Sequence, residues 1–270
     1  MFEAYYGFER TPFARAIAPG ALFASAQHKE LLARLTYTVS HRGFALVTGE
    51  IGSGKSTAVR ALAAGLDPAR HQLLYVAQSG LTPRHLYREL CLQMSIQPAF
   101  HAADARRQLM AALRDSAHKY ERQPVVVIDE AHLLSPPLLE EIRFLTNYQM
   151  DSASPMALCL IGQGELRRRL RLQVFEAIVQ RITMRYHLSG LTEQETGEYI
   201  HHHLKVAGLS HPLFSDDAAR LIYQYTKGIP RQVNNLCTAT LLAGFAGQRK
   251  LIDESTVKQA LLELQDEAVG

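Results

Sequence analysis

Cysteine is scarce in this 270-residue chain. The three present, Cys91, Cys159 and Cys237, are far apart, odd in number and without metal-ligand spacing. That excludes a disulfide framework and a cysteine-based metal centre, and predicts reduced thiols. Long apolar runs are lacking as well. Val125 to Ile128 is among the longest and is strand-sized, far short of the roughly 20 residues of a membrane-spanning helix. The opening Met1-Phe2-Glu3-Ala4 has neither the basic stretch nor the apolar stretch of a leader. The expected compartment is therefore the cytoplasm, without a membrane partner. No internal repeat or low-complexity segment occurs, and charged residues at 20% beside hydrophobic residues at 47% argue for a packed core over disorder. His201-His202-His203 falls inside a helical pattern, where consecutive side chains diverge, so it predicts no metal site.

What is present is a parallel α/β pattern. Five strand-like runs, at 44–48, 73–76, 125–128, 157–161 and 182–188, are separated by helical segments, which predicts a parallel sheet covered on both faces. After Ser189-Gly190 only helical patterns follow, opened by a capping box at Thr192-Glu193-Gln194-Glu195. Residues 1–24 read as an irregular aromatic arm, 25–190 as the nucleotide-binding core and 191–270 as a helical lid. Net charge is +3 but uneven: residues 191–270 hold seven Lys/Arg against ten Asp/Glu, and residues 1–190 hold 22 against 16. A basic first part is a weak pointer to a polyanionic partner.

The stretch Gly49-Glu50-Ile51-Gly52-Ser53-Gly54-Lys55-Ser56 fits the phosphate-loop pattern G-x-x-x-x-G-K-[ST] at every fixed position. It lies between a strand and a helix expected over 57–64, which aims backbone N–H groups and a helix N-terminus at one spot. Lys55 would reach the β and γ phosphates of ATP, Ser56 would ligate Mg²⁺, and Thr57 would lie near the α phosphate. Asp129 follows four buried apolar residues and should emerge at the carboxyl edge of the sheet to hold the Mg²⁺ shell with Ser56. Glu130, next along, is the natural group to activate water. Gln163 ends the next strand and could orient that water. Arg181, before the fifth strand, could be offered to a neighbour's γ phosphate, whereas Arg185 reads as a solvated or structural strand residue. Arg231, in the first turn of a lid helix, could swing onto the γ phosphate.

Six segments in this order resemble the ExeA/GspA-like group of AAA+ ATPases. They are Tyr6-Gly7-Phe8 with Pro12-Phe13, Gly49 to Ser56, Val127-Ile128-Asp129-Glu130-Ala131-His132, Ile161 to Leu166, Gln180-Arg181-Ile182 and Gly228-Ile229-Pro230-Arg231. The resemblance implies an AAA+ P-loop NTPase core, with a five-stranded parallel sheet between helices and a C-terminal helical lid. It makes Lys55 and Ser56 part of Walker A, Asp129 and Glu130 Walker B, Gln163 sensor 1, Arg181 the arginine finger and Arg231 sensor 2. ATP and Mg²⁺ are the implied cofactors. The departure is His132, where the group usually has Asn or Gln.

Secretion-associated members of that group continue into a membrane helix and a cell-wall-binding region, and neither is expected here. Short members are similar to the TnsC/TniB/MuB-like ATPases that assist transposases. The leading expectation is therefore a regulator of transposition that oligomerises, as a ring or filament, on duplex DNA of any sequence and recruits a transposase. Candidate phosphate contacts are Arg84, His85 and Arg88, with Lys119; Arg84 and Arg88 are four residues apart on one helix face. The alternatives are a secretion or envelope-assembly ATPase acting on a protein partner, and a nucleotide switch with negligible turnover.

Overall fold

The computed structural model describes residues 1–14, 17–77, 80–146 and 154–267. The chain divides into two compact units, one comprising His28–Gly49 and Lys55–Leu188, the other Met1–Gln27, Glu50–Gly54 and Ser189–Gly270.

Elements run in the order α1 (Phe2–Tyr6), α2 (Ala26–Ser40), β1 (Phe44–Gly49), α3 (Lys55–Gly65), β2 (His71–Val76), α4 (Pro83–Gln93), α5 (Ala102–Lys119), β3 (Gln123–Ile128), α6 (Pro136–Leu145), β4 (Ala157–Gly162), α7 (Gly164–Arg169), α8 (Glu176–Val179) and β5 (Met184–Leu188). Helices α9 (Glu193–Val206), α10 (Asp216–Thr226), α11 (Pro230–Ala246) and α12 (Glu254–Glu267) complete the chain.

The five strands form one parallel sheet in the order β2-β3-β4-β1-β5. Strand periodicity explains why both faces are apolar. Val126, Ile128, Leu158, Leu160 and Leu46 enter one buried cluster with α4, α5 and α6. Val125, Val127, Cys159, Ile161, Ala45 and Val47 enter the other, with α2 and α3. The expected parallel sheet between helices is thus present. Its strand β5 is shorter than the alternation of residues 182–188 suggests. Ile182 and Thr183 lead into it; Thr183 N–H donates to Phe44 O at 2.9 Å, and its hydroxyl accepts from Phe44 N–H at 3.1 Å. Helix α3 begins at Lys55, two residues earlier than expected.

Strand β2 is an outer strand. At Tyr75 its backbone N–H donates to Oε1 of Gln93 at 2.9 Å, and Nε2 of Gln93 donates back to the Tyr75 carbonyl at 2.8 Å.

The second unit has its own core. The N-terminal segment is not irregular throughout, because Phe2–Tyr6 is helical and Gly7 closes it in the left-handed conformation. Tyr6, Phe8 and Phe13 bury into the cluster formed by α9 to α12, and Tyr6 Oη donates to Leu241 O. His201 faces solvent, His202 meets Ala21 O at 2.8 Å through Nε2, and His203 is buried.

His203 stacks on Phe13 at a centroid distance of 5.4 Å and tilts against Tyr199. Burial, reinforced by neighbouring His202, pushes its pKa down from 6.5 to about 4. A histidine held neutral in the fold binds fewer protons than the unfolded chain between those values. Stability is therefore fully present above pH 6.5 and falls as the pH drops towards 4, at up to about 1.4 kcal/mol per pH unit. Urea unfolding between pH 7.5 and 4.5 should show a shallower decline for His203→Phe than for the wild type. Parallel declines would rule out the histidine as the cause.

Candidate active site

The site grows from the carboxyl ends of the parallel strands. β1 is buried along its whole length and ends at Gly49. The loop Glu50–Gly54 then turns tightly, with Ser53 N–H donating to Glu50 O at 3.2 Å. Gly52 and Gly54 hold φ of +83° and +102°, conformations that a side chain resists. At Gly52 a Cβ would also meet the Arg231 Cβ at 2.5 Å, since Arg231 N–H donates to Gly52 O at 3.2 Å. Arg231 is thus packed by its backbone on the loop tip, within the helical unit.

Lys55 opens α3. It is buried, and its Nζ donates to Gly49 O at 2.9 Å, so the ammonium lies against the carboxyl end of β1. Ser56 Oγ donates to Asp129 Oδ2 at 3.0 Å. Asp129 follows β3, with its N–H on Val76 O of the neighbouring strand, and is almost fully buried. Two further donors fix its carboxylate. Glu130 N–H reaches Oδ1 at 2.8 Å, and Tyr75 Oη reaches Oδ2 at 2.8 Å. Burial, then the bond to Asp129, pushes the Tyr75 phenol well above its ordinary pKa, so it stays a donor. Tyr75 was not among the sequence candidates.

Glu130 stands in the left-handed region, φ +52°, and projects a half-exposed carboxylate. Its Oε2 lies 3.3 Å from Nδ1 of buried His132, a close approach whose angle falls short of a hydrogen bond. Nε2 of His132 lies 2.8 Å from Nε2 of Gln163, the residue between β4 and α7. The structure therefore brings Lys55, Ser56, Asp129, Glu130 and Gln163 to one edge of the sheet, with Thr57 in the first turn of α3.

Arg181 is not at that edge. It is half-buried in the turn that leads into β5, with its N–H on Ile178 O. β5 is parallel to β1 and Met184 pairs with Ala45, so Arg181 lies at the amino end of the sheet. A strand of this length at roughly 3.3 Å per residue separates it from Gly49, at the carboxyl end of β1, by on the order of 15 Å. Arg185 instead donates to Val179 O at 2.7 Å.

Arg84, His85 and Arg88 share the exposed side of α4, and the Arg84 guanidinium lies 4.7 Å over the ring of Phe100. Lys119 closes a different helix, α5, and pairs with Asp115 at 2.9 Å.

The residues fit a nucleotide with its metal. Ser53 Oγ is buried without a hydrogen-bond partner, positive-φ glycines shape the loop, and a serine hydroxyl touches a buried carboxylate. Oxygen donors from one carboxylate and one hydroxyl suit magnesium, which keeps waters and takes its other ligands from phosphates.

A protein family described as AAA domain matches residues 37–170. The chain is 35% identical over 258 residues to the general secretion pathway protein A of Aeromonas hydrophila. That alignment takes in 93% of this chain and 46% of the relative, so the chain spans less than half the relative's length. Among solved structures, Cdc6p from Pyrobaculum aerophilum superposes with a TM-score of 0.69 at 16% identity, over 93% of this chain and 70% of that one. The Drosophila ORC bound to DNA superposes with a TM-score of 0.66 at 17% identity, over 97% and 65%. Both share the fold. With a phosphate loop at Gly49–Ser56, an acidic strand end at Asp129-Glu130 and this sheet order, the chain has the fold of an AAA+ P-loop ATPase and is similar, over most of its own length, to that secretion-pathway protein.

Proposed function

We propose that the chain couples Mg²⁺-dependent ATP hydrolysis to the control of a protein partner, as a secretion or envelope-assembly ATPase. The observation that carries this is the pairing of an assembled hydrolytic edge with extended similarity to a secretion-pathway relative. That similarity favours the secretion reading over the transposition regulator expected from the sequence. Among the described residues no helix is long and apolar enough to cross a membrane.

In this reading the Lys55 ammonium exchanges the Gly49 carbonyl for the β and γ phosphate oxygens. Ser56 and Asp129 would hold magnesium, which when bound supplies positive charge to the phosphate oxygens. Glu130 accepts the proton of the attacking water, and Gln163 orients that water. Arg231 sits on the loop through its backbone and has a guanidinium to offer the γ phosphate. Arg181 stands at the opposite end of the sheet from Gly49 and Asp129, so it serves a neighbouring copy. That requires assembly into a homo-oligomer, either a ring or a filament.

The second reading, a DNA-binding regulator of a transposase, is favoured by the exposed Arg84, His85 and Arg88 on one helix and by a fold shared with ORC bound to DNA. Fluorescence anisotropy separates the two. With a non-hydrolysable ATP analogue, a labelled random duplex at low salt should stay unbound under the secretion reading. Sequence-independent binding that weakens steeply with salt, and falls in Arg84→Ala/Arg88→Ala, would restore the transposition reading.

A further inference from the structure

His132 lies between the residue that would activate water and the residue that would orient it. Its ring is buried and its backbone is pinned from two sides. Arg169 donates to the carbonyl of His132 at 2.5 Å and to that of Leu134 at 2.7 Å. On the other side Gly162 approaches so closely that a Cβ there would lie 3.1 Å from the His132 nitrogen. The ring cannot drift without disturbing β4 or α7. With the Gln163 amide nitrogen donating to Nε2, the ring's proton belongs on Nδ1, the atom that faces Glu130 Oε2 at 3.3 Å. A small rotation of the half-exposed Glu130 side chain completes that hydrogen bond.

We propose that His132 is a positioning residue that ties Glu130 to Gln163, so that the base and the water-orienting amide adopt the working geometry together. The proposal rests on the hydrolytic reading above. It assigns no proton transfer to His132; the ring holds two groups at a fixed separation. Glu130 needs such a tether, because its own backbone is left-handed and its carboxylate is otherwise exposed.

The test uses the full chain, ATP and magnesium, with steady-state turnover and binding of a fluorescent ATP analogue. His132→Phe keeps the ring's volume in its buried place and removes both nitrogens. Its kcat should fall by about 10- to 100-fold while KM and analogue affinity stay within about threefold, because only alignment is lost. His132→Gln, which can bond at both ends, should recover to within about threefold of wild type. His132→Leu supplies the same reading if the Phe variant does not fold. In a Gln163→Ala background the cost of His132→Phe should shrink, because the link is already cut. Wild-type turnover in His132→Phe, beside an inactive Glu130→Gln, would overturn the proposal and leave the hydrolytic reading standing. Wild-type turnover in Glu130→Gln would overturn both.

Discussion

Glu130→Gln should bind ATP and lose turnover by about 10²- to 10⁴-fold, the range expected for removing a general base. The amide is isosteric and keeps the backbone N–H bond to Asp129, so the pocket stays intact while the proton acceptor disappears. Lys55→Ala should fail one step earlier, at nucleotide binding, because in the proposed reading the buried ammonium now on the Gly49 carbonyl is the charge that meets the phosphates. Arg181→Ala should resemble Glu130→Gln, with binding kept and turnover lost. The two can be distinguished by mixing. An Arg181→Ala subunit has an intact base and lacks only a neighbour's arginine, which a Glu130→Gln subunit can supply. Equimolar mixtures of the two inactive proteins should therefore regain partial ATPase activity, and each alone should not. No recovery at any ratio would contradict action between subunits. Loss of ATP binding in Arg181→Ala would place that arginine in the fold of its own chain.

Gly228→Ala should unfold the helical unit under mild conditions, at a cost of about 3–5 kcal/mol. Gly228 has φ +69°, and a Cβ there would lie 2.0 Å from the carbonyl oxygen of Leu191. The contact is backbone on backbone, tied by Leu191 N–H donating to Gly228 O at 2.8 Å, so no side chain can move aside. Gly190 repeats the crowding from the other side, where its Cβ would lie 2.3 Å from Lys227 O. Gly197→Ala makes the matched control. Gly197 lies inside α9 with open space around it and an ordinary φ, so an alanine should stabilise by about 0.5–1 kcal/mol. The same added methyl thus has opposite signs at positions 31 residues apart in sequence. Urea midpoints followed by circular dichroism test this directly, and equal shifts for the two variants would refute the packing argument.

The contrast also shows which parts of the molecule were legible in advance. The strand at β1, the loop after it and the acidic end of β3 are local patterns: four buried apolar residues followed by Asp129-Glu130 read as a strand end, and the phosphate loop upstream gave those carboxylates their expected role. The parallel sheet followed from strands alternating with helices. The order that threads β1 between β4 and β5 did not, because register is set by contacts between residues more than a hundred positions apart. Tyr75 was invisible because only the pairing of β2 with β3 brings its phenol to Asp129, 54 positions along the chain. His132 was visible as a departure from the group's usual residue, but its place between Glu130 and Gln163 depends on β4 packing beside β3. Helix α1 was missed because five residues are too short to show a period.

An outermost strand offers bare amide and carbonyl groups to any extended segment that passes. At Tyr75 the carboxamide of Gln93 meets both, standing in for the peptide unit of a sixth strand. Sheet growth from one molecule into the next is closed off at that point, beside the strand end whose tyrosine steadies Asp129. Shortening Gln93 would open a seam for aggregation as well as loosening the strand whose tyrosine holds Asp129.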